Sequence, residues 1–69
     1  MMNKKQNLAE KLSALVSRAG SQRKALKLIE SVRGTAPTKS AIDRAVKGSG
    51  TEYAMHCMIS DLEEALKNE

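Results

Sequence analysis

Residues 21–48 read SQRKALKLIESVRGTAPTKSAIDRAVKG, and two apolar rhythms within them decide the fold. Ala25, Leu26, Leu28, Ile29 and Val32 recur at helical spacing, which predicts an amphipathic helix from about Gln22 to Arg33. Ser21 precedes it as an N-cap, a residue whose side-chain oxygen can accept from an otherwise orphaned backbone N–H. Gly34-Thr35-Ala36-Pro37 closes the helix with one flexible and one rigid breaker. Pro37 disfavours the α conformation in the residue before it, so Thr38 is placed to cap a second, shorter helix that ends by Gly48. There Ala41, Ile42, Ala45 and Val46 form a narrow apolar stripe. With that stripe turned to a core, Lys39, Ser40, Asp43, Arg44 and Lys47 are left on the outer faces.

The flanking segments repeat the pattern. Leu8, Leu12, Leu15 and Val16 fall on one face of a helix expected from about residue 4 to Ala19, and Gly20 ends it. After Gly48-Ser49-Gly50, Thr51 caps a last helix reaching about Lys67, with Glu52 favourably placed against the positive end of the helix dipole. Its apolar face is Met55, Met58, Ile59, Leu62 and Leu66 with Ala65 beside it, and Asp61, Glu63 and Glu64 are expected to point away. The expected fold is all-α, a single compact domain of four to five helices spanning residues 1–69.

A 69-residue chain buries only about 60% of the surface it exposes when unfolded, so its own core is small. Cys57 is the only cysteine, which excludes an internal disulfide and leaves oligomerisation as the usual remedy. Tyr53 is the only aromatic residue, so the core must be aliphatic and methionine. Tyr53, Met55, Met58, Ile59 and Leu62 are more numerous than such a chain easily covers from inside. A helical Met stripe is usually plain core, and the alternative is a surface shared between two copies; on the helix of residues 51–67 they are assigned to a homodimer interface. The N-terminus is basic but leads into an amphipathic stretch, so neither a signal peptide nor a membrane span is expected, and the cytoplasm is the expected compartment. Residues 1–48 carry 11 Lys and Arg against three acids, a balance of +8, whereas residues 49–69 carry one Lys against five acids, a balance of −4. A basic body with an acidic end suggests one surface that meets a polyanion and another that stays away from it.

The outer set of the short helix has the chemistry for a major groove. Arg and Lys can donate to guanine O6 and N7, Ser can donate or accept, and Asp can accept from cytosine N4. The plain alternative is a solvated helix surface. Arg18, Arg23, Lys24, Lys27 and Arg33 add charge nearby, and each that neutralises a phosphate would make affinity more sensitive to salt. His56 and Cys57 are adjacent, about 100° apart on a helix, and cannot share a metal without other ligands; Cys57 is expected in the core and His56 outside it. With no paired acids, phosphate loop or nucleotide fingerprint, neither an enzyme, a cofactor, a metal nor a small-molecule substrate is expected.

Gly20-Ser21-Gln22 opening one helix, with the run from Thr38 to Gly48 forming the next, resembles the helix-turn-helix of phage-type repressors and Cro proteins. About 30 of the residues carry the likeness, over the motif at about 21–48. It implies sequence-specific binding of double-stranded DNA by a transcriptional regulator, a repressor of its own operon, acting as a homodimer on an inverted repeat. Small regulators of phages and mobile elements, including autorepressors associated with anti-CRISPR operons, share these features. By the resemblance Gln22 contacts a phosphate, with Ser21 and Arg23 beside it. Thr38, Lys39, Ser40, Asp43 and Arg44 face the groove, and Lys47 contacts the backbone. One departure is the join, Arg33 to Pro37, which exceeds the usual three- or four-residue turn; it implies either a different interhelical angle or a helix that frays early, near Ser31. The rival functional class is a helical protein-protein module, antitoxin-like or antirepressor, whose acidic last helix binds a basic partner. RNA binding through the same surface is a third, disfavoured by the shortage of aromatics for stacking.

Overall fold

In the computed structural model, which describes residues 4–67, the chain forms α1 (Lys4–Ala19), α2 (Gln22–Arg33), α3 (Lys39–Val46) and α4 (Glu52–Lys67). There is no strand among the described residues. Three of the four helix starts are set by hydroxyl caps. Ser21 Oγ accepts from the Lys24 N–H, Thr38 Oγ1 from that of Ala41 and Thr51 Oγ1 from that of Ala54, each at 3.1 Å. Each cap contributes on the order of 1 kcal/mol. α2 runs unbroken through Ser31 to Arg33 and stops at Gly34, whose φ of 89° is left-handed and whose N–H bonds the Glu30 carbonyl at 2.8 Å. Of the two explanations for the long join, early fraying is therefore excluded: five residues, 34–38, connect two complete helices.

The core is assembled from all four helices. Leu12 of α1, Ile29 of α2, Ile42 of α3, and Met55 and Leu62 of α4 are its largest fully buried side chains. Leu15, Val16, Ala25, Ala45, Met58 and Ile59 complete it. α4 lies chiefly against α1 and α2, whereas α3 touches it least and rests on α1 and α2. At the α3–α4 connection a Cβ added to Gly50 would stand 3.4 Å from the Ala45 Cα, so the chain passes close over the C-terminal end of α3 and holds it down. The Cα radius of gyration, 10.8 Å, matches the ~11 Å of a folded chain of this length, so the small core does close.

This packing corrects the expected dimer surface. Met55, Met58, Ile59 and Leu62 are all buried within the chain, because the α4 stripe fills the space between α1 and α2 rather than facing a second copy. Tyr53 alone of the five faces out, 79% exposed. Cys57 is only half-buried, while His56 is exposed as expected.

Asp61 is a second correction, since it is buried rather than pointing away. Its carboxylate receives both Nε and Nη2 of Arg33, at 2.6 and 3.2 Å. Arg33 is thereby committed to clamping the end of α2 onto α4, and the hydrogen bonds and charge of Asp61 hold its guanidinium above its ordinary value. Removing one partner of such a pair strands the other charge, whereas replacing both by apolar groups need not cost stability. Arg33→Met is expected to lower Tm by roughly 5–15 °C. Adding Asp61→Leu should recover most of that loss. Thermal melts followed by circular dichroism check both, and an Arg33→Met protein that melts with the wild type would show that the clamp contributes nothing.

Candidate nucleic-acid interface

The first turn of α2 and the outer ridge of α3 meet on one face. Ser21, Gln22, Arg23 and Lys39 line one shallow cleft there, and Gln22, Lys39, Ser40 and Asp43 line its neighbour. Gln22 Nε2 donates to Asp43 Oδ1 at 3.3 Å, across 21 residues of sequence. Lys47 Nζ stands 2.9 Å from Asp43 Oδ2, one helical turn on. Arg44 is exposed on the adjoining row. Eight of the nine residues expected to bind DNA thus lie on one continuous surface or directly beside it. Thr38 is at the edge, its hydroxyl oxygen occupied by the cap, as is that of Ser21. Both hydroxyl protons can still be donated outward.

Arg23, Lys39 and Arg44 of this face are exposed and form no ion pair among the described residues. Arg18 of α1 and Lys24 and Lys27 of α2 are likewise exposed and without an ion pair among the described residues. By contrast, Lys11 meets Glu63 of α4 at 3.3 Å, and Arg33 meets Asp61. The acidic helix therefore uses its carboxylates partly on cations away from this face.

Asp43 is the one acid among these residues. Its hydrogen bond with Lys47, and then that with Gln22, hold its carboxyl below the usual carboxylate range. A carboxylate depressed in the folded state contributes stability that is complete above its unfolded pKa and is lost as pH falls through the folded one. Asp43→Asn should consequently lower Tm near neutrality, by little because the group is partly solvated and screened, and flatten the acid limb so that the two proteins converge at low pH. Parallel acid limbs for the two proteins would contradict this.

The pairing of Asp43 with Lys47 could have been found in the sequence from their i,i+4 spacing. Nothing local links Gln22 to Asp43; only the packing of α2 against α3 does. Among the described residues no group of three or more His, Cys, Asp or Glu side chains could hold a metal ion, and no helix is long and apolar enough to cross a membrane. No known protein family, curated protein or solved structure matches the chain.

Proposed function

We propose that this chain is a non-enzymatic, sequence-specific binder of double-stranded DNA, with α2 and α3 serving as a helix-turn-helix, and that it represses its own operon. The observation that carries this reading is the joining of the α2 start to the exposed ridge of α3 on a face where Arg23, Lys39 and Arg44 are exposed and form no ion pair among the described residues. α3 is eight residues long, about 12 Å, which is close to the width of the B-DNA major groove. Lys39 and Arg44 then approach bases or the nearest phosphates, while Arg23 and Lys27 on α2 follow the backbone. Repression and autoregulation rest on the likeness to small phage regulators.

A homodimer belongs to the same reading, though not through the four buried residues of α4. Tyr53 borders a largely apolar cleft of about 340 Å³ between Ile29, Ala36, Pro37, Ala54 and Met58, with the Arg33–Asp61 pair also on its lining. Knob and cleft on one patch are self-complementary, as a two-fold interface requires. The patch is at the far end of α2 from the basic face. α2 is 12 residues, about 18 Å, so two copies joined there can hold their basic faces on the order of 34 Å apart, one turn of DNA.

The deciding experiment is a gel shift with the DNA immediately upstream of the gene against a scrambled duplex, repeated over a salt series. Preferential binding with log K falling by about 0.9 per phosphate neutralised is expected. Equal affinity for both duplexes would remove sequence specificity, and no shift at low salt would remove DNA binding.

A further inference from the structure

The acid at the centre of the basic face needs a reason. Lys39, Asp43 and Lys47 follow one another at i, i+4 and i+8, so the exposed ridge of α3 reads positive, negative, positive. On a surface that met only phosphates the middle charge would oppose binding, and any neutral residue would serve better. The ends of this ridge are about 12 Å apart, near the width of a major groove. A helix laid across the groove puts Lys39 by an anionic wall and Asp43, with Lys47 held to it, over the floor, where base edges are.

Asp43 is also held as a recognition group would be. Gln22 of α2 occupies one lone pair of Oδ1, and Lys47, one turn on at the end of α3 itself, one of Oδ2. A carboxylate accepts about four hydrogen bonds, so each oxygen keeps a free lone pair. The side chain is 42% exposed, open to a partner but fixed in direction. Such a group rejects the acceptors guanine O6 and N7 and thymine O4. Of the two bases with an exocyclic amine, adenine sets its N7 acceptor beside N6, whereas cytosine N4 has only C5–H on that side.

Resting on the DNA-binding reading above, we propose that Asp43 is a specificity-determining residue that reads cytosine N4 in the major groove, with Gln22 and Lys47 as the positioning residues that aim it. Each half-site then contains one cytosine on the contacted strand, preferred over the other bases by roughly 5- to 100-fold.

The test is selection from a random duplex library with wild-type protein, Asp43→Ala and Asp43→Asn, together with filter binding to the unselected pool. Wild type should enrich a motif with an invariant cytosine. Asp43→Ala should randomise that position while binding the unselected pool more tightly, and Asp43→Asn should move it to adenine, whose N6 and N7 an amide matches. Gln22→Leu should keep cytosine but weaken the preference. The same motif at the same frequencies from wild type and Asp43→Ala would overturn the proposal, as would guanine or thymine at the altered position in the wild type. Binding of the pool with no motif enriched would also overturn it while leaving DNA binding intact. A wild-type protein that retains no duplex at low salt would remove both.

Discussion

Leu62→Ala is expected to destabilise the protein by about 2–5 kcal/mol, which at the upper end of that range leaves much of it unfolded at 37 °C. Leu62 is fully buried where α4 meets the other helices, together with Leu12, Ile29, Ile42 and Met55. Truncation removes its transfer free energy and leaves a cavity that four short helices can close only partly. A domain of this size has a total stability near the low end of about 5–15 kcal/mol, so a loss at one such position is a large fraction of the whole. Urea titration followed by circular dichroism should show a lower midpoint at unchanged slope. The same burial means that replacing Met58 and Leu62 with Glu gives an unfolded chain rather than a folded monomer. A folded, stable Leu62→Ala protein would instead place Leu62 outside the core.

Removing Arg23, Lys39 and Arg44 together, as alanines, is expected to reduce DNA affinity by roughly 10²–10³-fold at 0.1 M salt and to make the slope of log K against log salt shallower by about 2.7. None of the three has an ion-pair partner among the described residues and all are exposed, so the melting temperature should hardly change. That contrast separates a functional surface from a structural one. Arg33, equally cationic in the sequence, should behave in the opposite way: its loss lowers stability first, because its guanidinium is spent on Asp61. An unchanged salt slope in the triple variant would remove this face from the interface.

The helices themselves were legible from residue order. Their caps, Ser21, Thr38 and Thr51, and their breaks, Gly20, Gly34 and the Gly48–Gly50 stretch, act within one or two turns of chain, so local rules locate them. The outer set of α3 was legible for the same reason, since helical periodicity alone turns Ala41, Ile42, Ala45 and Val46 inward and leaves Lys39, Ser40 and Arg44 outside. Periodicity does not say what an apolar face is buried against. Met55, Met58, Ile59 and Leu62 make the same stripe whether they cover a neighbour in the chain or a second copy, and only the packing of α4 between α1 and α2 decided for the former. Nor does charge type distinguish Arg33 from Arg44. One is 28 residues from a buried carboxylate that tertiary structure brings to 2.6 Å, and the other meets no acid among the described residues. The sequence by itself thus determined where the helices lie and which faces of α3 are polar, because those depend on neighbours a few residues apart. The filling of the core by α4, the Arg33–Asp61 clamp and the Gln22–Asp43 hydrogen bond were decided only by the tertiary structure, because each joins residues whose proximity is created by packing and by nothing in the local chain.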